Sequence, residues 1–327
     1  MAVAGPGDAG RQIGAAVVGP TASGKSALAL ALAERYGGEI VNCDSTAVYR
    51  GFDIGTDKVP QADRRGIPHH LIDIVEPTHE YTAAEFTRDA SLAIRDILSR
   101  GRVPIVVGGT GLYYRALTRG LFPGPGKDEA LRARLETRAA VRGPGYLHRM
   151  LRRVDPDSAR RIQPRDVKRM VRALEVFLLT GRPLTAHFAD TVPPLPDVEL
   201  IGVALRLPAD ATSARVTRRV DEQFARGLLD EVRGLLASGV PETARPFGGL
   251  VYRQALELLR GVRGDAETRA LIAQENRRYA RRQLIWFRKE PNLDWFAGPG
   301  ELASTLAAVT RLLDPRMLER PGKERVP

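Results

Sequence analysis

The run Gly19-Pro20-Thr21-Ala22-Ser23-Gly24-Lys25-Ser26 has the G-x-x-x-x-G-K-[ST] spacing of a phosphate-binding loop. An apolar segment, residues 13–18, leads into it and a helix-patterned segment, residues 24–36, leaves it. That strand–loop–helix context is the one in which the motif works. Glycines let successive N–H groups turn inward, the helix start adds its positive dipole end, and Lys25 adds a charge, so the loop suits a diphosphate or polyphosphate. The Ser26 hydroxyl suits a Mg²⁺ ion held by those phosphates. Asp44 follows a second apolar segment, residues 39–43. Ligands of open α/β sheets sit beyond the carboxyl ends of strands, so this carboxylate belongs near the loop. It reads as a metal acid acting through water, as a general base, or as a helix N-cap for the residues after Ser45. Residues 103–107 run into a second glycine loop, Gly108-Gly109-Thr110-Gly111. The Thr110 hydroxyl suits a phosphate oxygen or a base edge, or caps the helix that starts at Leu112. Arg218 and Arg219 lie in a basic helical run and read either as anion ligands or as a solvated face.

The elements that must position these groups alternate. Strand patterns at residues 13–18, 39–43, 70–75, 103–107, 198–206 and 293–296 are interleaved with helical patterns at 79–100, 210–237, 250–259, 265–288 and 300–313. This predicts an α/β fold, a P-loop NTPase-like doubly wound parallel sheet. Residues 123–189, after the Pro/Gly linker at 122–126, read as a helical, arginine-rich insertion into a core made of 13–122 and 190–313. Residues 1–12 are expected to be disordered and 314–327 to be a flexible tail.

The chain has 50 Lys+Arg against 39 Asp+Glu, a net +11, which suits a polyanionic partner, nucleic acid first. Two clusters carry that reading. Lys168, Arg169 and Arg172 can share one helix face; Arg277 to Lys289 interleaves arginines with Tyr279 and Trp286, offering phosphate contacts and stacking platforms. Core packing is the other reading of Trp286 and Phe287. A single cysteine, Cys43, excludes internal disulfides and Cys-cluster zinc, and a reducing, cytoplasmic setting is expected. No apolar stretch is long enough to span a bilayer. None of the five histidines sits at metal-ligand spacing, and all read as structural or surface residues.

Taken together, the phosphate loop, Asp44-Ser45, residues 49–56 (YRGFDIGT), 68–71 (PHHL), 108–113 (GGTGLY), 172–176 (RALEV), Arg219-Val220-Asp221, Gly227-Leu228 with Glu231-Val232, Arg281-Arg282-Gln283 and Trp286-Phe287-Arg288 make the chain resemble the bacterial tRNA dimethylallyltransferases, also called tRNA isopentenyltransferases. The resemblance covers residues 13–296. It implies transfer of a dimethylallyl group from dimethylallyl diphosphate to the exocyclic amine of the adenine on the 3′ side of the anticodon. Asp44 would be the base, with Lys25, Thr110 and Arg219 completing the catalytic set. Gly19, Pro20, Thr21, Ala22, Ser23, Gly24, Lys25 and Ser26 would hold the diphosphate, with Mg²⁺ on Ser26. The tRNA, through its anticodon stem-loop, would meet Asp44, Ser45, Thr46, Ala47, Thr110 and Arg132, and Lys168, Arg169, Met170, Val171 and Arg172 of the insertion. It would also meet Gly248, Gly249, Leu250, Val251, Tyr252 and Arg253, and Arg281, Arg282, Gln283, Leu284, Ile285, Trp286, Phe287 and Arg288. A monomer is expected. The chain departs from the family pattern at Val251, before Tyr252-Arg253, and at Ile285, where a threonine is usual. A small-molecule kinase using ATP and an RNA-binding NTPase remain the alternatives that the phosphate loop alone allows.

Overall fold

The computed structural model describes residues 11–143 and 145–318. The part of the chain up to Thr118 together with the part from Pro194 onward forms one compact unit, and Arg119–Pro193 forms a second. In the first unit, β1 (Gln12–Val18) is apolar on both faces and buried from Ala15 onward, as a strand between two helical layers must be. Around it lie β2 (Gly38–Asn42), β3 (His69–His70), β4 (Val103–Gly108), β5 (Val198–Arg206) and β6 (Asp294–Ala297). The sheet order is β3-β2-β4-β1-β5-β6, and all its pairs are parallel. Helix α1 (Lys25–Tyr36) follows the phosphate loop, and α2 (Ala83–Ser99) and α3 (Gly111–Arg119) flank β4 in sequence.

The second unit holds α4 (Glu129–Arg142), α5 (Gly145–Val154), α6 (Pro156–Arg161), α7 (Val167–Thr180) and α8 (Leu184–His187). The chain then returns to the first unit for β5, α9 (Ala209–Ala225), α10 (Leu228–Ala237), α11 (Leu250–Leu259), α12 (Asp265–Phe287) and α13 (Ala303–Met317). Leu28 and Leu32 of α1 and Val309 and Leu313 of α13 pack with Val17, Ile105 and Val203 on one face of the sheet. Phe86, Ile94, Tyr113, Val216, Val251 and Phe287 build the core on the other.

Three expectations change. The strand expected over residues 70–75 is only His69–His70, because Leu71 and Asp73 take positive φ (62° and 56°) and end the extended run. The helix expected over 210–237 is two helices, broken at Gly227 with φ 92°. The last helix passes Asp314, placed at the start of the flexible tail, because that carboxylate accepts hydrogen bonds from Arg35 Nε (2.9 Å) and the Tyr36 hydroxyl (2.6 Å). Residues 319–327 of that tail, and residues 1–10 of the expected disordered start, lie outside the described residues; Gln12 opens β1.

The second unit has its own core: Leu135, Leu147, Leu151, Met170, Val171 and Leu174. At its centre Glu175 is fully buried and accepts from Arg132 Nε (2.7 Å) and Nη2 (2.8 Å), Arg172 Nη1 (2.7 Å) and the Asp128 amide (2.8 Å). Burial alone would raise its pKa; the two guanidiniums and the amide overcome that and hold it at about 2. A pKa lowered on folding stabilises above the unfolded value and loses that stabilisation as pH falls through the folded one. The second unit is therefore expected to lose on the order of 3 kcal/mol between pH 5 and 2. Acid titration by hydrogen exchange on α4 and α7 checks this; Glu175→Gln should flatten the profile, and an unchanged profile contradicts the assignment.

Candidate active site

The phosphate loop connects β1 to α1 through three residues with positive φ: Gly19 (142°), Ala22 (62°) and Gly24 (82°). Ala22 is the costly one, since a Cβ disfavours the left-handed region by roughly 1 kcal/mol. Its conformation is held from outside: Arg215 Nε of α9 donates to the Ala22 carbonyl (2.6 Å), and the Gly300 amide donates to the Ser23 carbonyl (2.9 Å). Within the loop, Ser23 Oγ and Lys25 Nζ both donate to the Pro20 carbonyl (2.8 and 2.7 Å). Lys25 has no carboxylate partner among the described residues. Burial, reinforced by the nearby Arg219 and opposed by Asp44 and Asp57, lowers its pKa to about 8.

Asp44 sits just beyond β2 in an Asx-type turn: Oδ1 accepts from the Thr46 amide (2.9 Å) and the Thr46 hydroxyl (2.7 Å). No helix follows it, so the N-cap reading falls away, and Oδ2 accepts no hydrogen bond among the described residues. Thr110 does not spend its hydroxyl on its own helix either. Its Oγ1 accepts from the Ser45 amide (3.0 Å) and donates to Ser45 Oγ (3.3 Å), tying the second glycine loop to the Asp44 turn.

That glycine loop is shaped by what packs on it. A Cβ on Gly108 would collide with the Cys43 carbonyl, one on Gly109 with Gln283 Nε2, and one on Gly111 with the Trp286 ring. Two of the three glycines thus make room for α12. Gln283, buried on that helix, accepts from the Thr21 amide through Oε1 (2.8 Å) and donates to the Gly109 carbonyl through Nε2 (2.9 Å). One side chain holds both loops.

The loops enclose a cavity of about 540 Å³ whose lining includes Thr21 to Ser26, Asp44, Thr46, Ala47, Asp57, Arg215, Arg219, Tyr279, Gln283 and Glu301. Arg219 donates to Thr21 Oγ1 (2.9 Å) and pairs with Asp57 (3.2 Å); burial pushes the Asp57 carboxyl pKa up, with Arg219 opposing. Arg218 instead points at Glu222 (3.3 Å) on the solvated side. Asp57, Arg215 and Glu301 are absent from the site inferred from sequence, and Tyr279, expected on the nucleic-acid surface, lines the cavity instead. Arg215 was findable, four residues before Arg219 on the same helix face; nothing in the local pattern marked Glu301. His69, part of β3 and bonded through Nδ1 to the Ile67 carbonyl (2.8 Å), also lines the cavity.

The segments expected to meet RNA divide by exposure. On α12, Arg278, Arg281, Arg282, Ile285, Arg288 and the following Lys289 are exposed, and its basic side chains from Arg277 onward have no carboxylate partner among the described residues. Gln283 and Phe287 are buried, and the half-buried Trp286 lies under the Arg115 guanidinium, 4.6 Å from the ring centre. Leu284 is also half-buried. Gly249, Leu250, Val251 and Tyr252 line the cavity; the Tyr252 hydroxyl donates to Glu231 (2.6 Å), and Arg253 is spent on Glu275 (2.8 Å). Gly248 is exposed. In the second unit Met170 and Val171 are buried in its core and Arg132 and Arg172 are committed to Glu175, which leaves Lys168 and Arg169 on the surface. Among the described residues no cluster of His, Cys, Asp and Glu forms a metal site, and no helix is long and apolar enough to cross a membrane.

The profile of the family described as IPP transferase matches residues 47–290. A tRNA dimethylallyltransferase of Geobacter metallireducens is 50% identical over 298 residues, 90% of this chain and 95% of that protein. One from Koribacter versatilis is 45% identical over 297 residues, 91% and 96% of the two chains. The solved tRNA isopentenylpyrophosphate transferase of Bacillus halodurans superposes with a TM-score of 0.69 at 34% identity, covering 94% of this chain and 97% of its own. A eukaryotic dimethylallyltransferase captured acting on tRNA gives 0.79 at 26% identity, with 96% and 81% coverage.

A lysine whose pKa is lowered carries its charge below that value and loses it above. Affinity for inorganic diphosphate is therefore expected to fall several-fold as pH rises through about 8, relative to Lys25→Arg, whose charge persists. Calorimetric titrations at pH 7 and 9 check this; parallel profiles for the two proteins contradict it.

Proposed function

The chain belongs to the IPP transferase family, whose members transfer a dimethylallyl group to tRNA, and we propose that it does so with Asp44 as general base and the phosphate loop as the diphosphate site. The observation that carries the proposal is the uncommitted Oδ2 of Asp44 in the same cavity as Lys25 and the loop amides.

The adenine exocyclic amine is a weak nucleophile because its lone pair is delocalised into the ring. As its nitrogen bonds to C1 of the dimethylallyl group, the C1–O bond breaks and the electron pair leaves with the diphosphate. The proton passes from the amine to Asp44 Oδ2. Charge growing on the leaving diphosphate is met by Lys25, Arg219 and the amides of residues 22–26. The Thr21 amide is not among them, being occupied by Gln283. The adenine must leave its stack to reach the cavity, which is cheap in an unpaired anticodon loop. Exposed arginines of α12, with Lys168 and Arg169 of the second unit, supply phosphate contacts for the stem-loop.

The donor set fits Mg²⁺: the ion typically takes one or two protein oxygens and completes its shell with phosphate oxygens and water. Ser26 Oγ, exposed at the start of α1 and lining the cavity, would hold it. When bound, the ion neutralises charge on the diphosphate. The enzyme is proposed to act as a monomer in the cytoplasm, where its tRNA substrate is.

Incubation with labelled dimethylallyl diphosphate, Mg²⁺ and unmodified tRNA should place label in the RNA. Asp44→Ala should lower the single-turnover rate by about 10²–10⁴-fold while tRNA affinity stays within about twofold. Wild-type turnover in that variant ends the base assignment, and ATP-dependent phosphorylation without label transfer ends the functional one.

A further inference from the structure

A second concavity, of about 230 Å³, is lined by Arg206, Leu207, Leu284, Arg288 and Trp295. Arg206 ends β5, the strand next to β1, so this pocket opens on the same carboxyl-end edge of the sheet as the main cavity. Helix α12 separates the two. Tyr279 and Gln283 face the main cavity, whereas Leu284 and Arg288, one turn apart, line the second pocket. The exposed stripe formed by Arg278, Arg281 and Arg288 runs between them.

The chemistry of the pocket is unbalanced. Arg206 and Arg288 are both exposed, and neither has a carboxylate partner or a side-chain hydrogen bond among the described residues. Other arginines of the first unit meet a carboxylate, as in Arg35–Asp314, Arg95–Asp197 and Arg115–Glu290. Two guanidiniums on the rim of one pocket repel each other unless an anion sits between them. Between Leu207 and Leu284 the half-buried Trp295 supplies an aromatic wall. Cationic rim, aromatic wall and a volume suited to one base form the combination that grips unpaired nucleotides.

We propose that this pocket binds one unpaired nucleotide of the RNA substrate, its phosphate between Arg206 and Arg288 and its base against the Trp295 indole. The inference rests on the tRNA reading above and adds a subsite to it on the far side of α12. It makes the helix a partition that one strand of RNA straddles, with the target adenine on one flank and a neighbouring nucleotide on the other.

The test is titration of unmodified tRNA into the full chain, its Arg206→Ala and its Trp295→Phe variants, at several salt concentrations. Arg206→Ala should bind tRNA about tenfold more weakly, with a salt slope shallower by about 0.7–1. Its KM for dimethylallyl diphosphate should not change. Trp295→Phe should lose the larger part of the tryptophan quench that tRNA causes in wild type, Trp286 being the other of the two tryptophans. Wild-type affinity and salt slope in Arg206→Ala, or a full quench in Trp295→Phe, overturns the pocket while leaving the transferase intact. A wild-type chain that fails to bind tRNA overturns both.

Discussion

The site is held together by one amide. Gln283 offers one acceptor and one donor to two backbone groups in different loops, the Thr21 N–H and the Gly109 carbonyl, and it is buried while doing so. Both loops are glycine-bearing strand-to-helix turns, and each would otherwise present a polar backbone group to the protein interior. Leaving one such group unpaired costs about 1–3 kcal/mol, so the pair fixes the spacing between the phosphate loop and the second glycine loop. The Thr110–Ser45 bonds carry the constraint on to Asp44. The same helix shows its arginine stripe to solvent, so the element that carries those exposed charges also sets the distance between the phosphate loop and Asp44.

Charge is apportioned with the same economy. Arg219 is matched by Asp57, Arg215 by Glu301, and Lys58 by Asp53 and Asp73. Among the described residues only Lys25, of the cavity's cations, lacks a carboxylate, and burial disfavours its ammonium. The cavity therefore offers an anion one uncompensated charge with preset amides around it, rather than a diffuse positive surface. Among the described residues, one run of arginines without a carboxylate partner lies on α12, where a phosphate backbone can reach several at once.

The parallel sheet, the phosphate loop and Asp44 were legible because each rests on a local pattern: apolar runs, glycine spacing, an acid at a strand end. The second glycine loop was legible as a motif but not in its purpose. Gly109 and Gly111 are small because Gln283 and Trp286, some 170 residues later, need their space. Long-range packing of that kind leaves no trace in a local window. Exposure was likewise invisible for Arg132 and Arg172, which look like surface charges until Glu175, one acid in a helical run, is found buried between them. Asp57 and Glu301 escaped for a similar reason: a carboxylate in a loop has no periodicity to mark it, and only the arginine it meets in space gives it a role.

The most direct measurement is on Gln283→Leu, which keeps the volume and removes both hydrogen bonds. Diphosphate affinity and the single-turnover rate of dimethylallyl transfer should fall together, each by tenfold or more by the cost of two unpaired backbone groups, while circular dichroism stays that of the folded chain. A folded Gln283→Leu protein that binds dimethylallyl diphosphate with wild-type affinity and transfers its dimethylallyl group to tRNA at the wild-type rate would contradict the account.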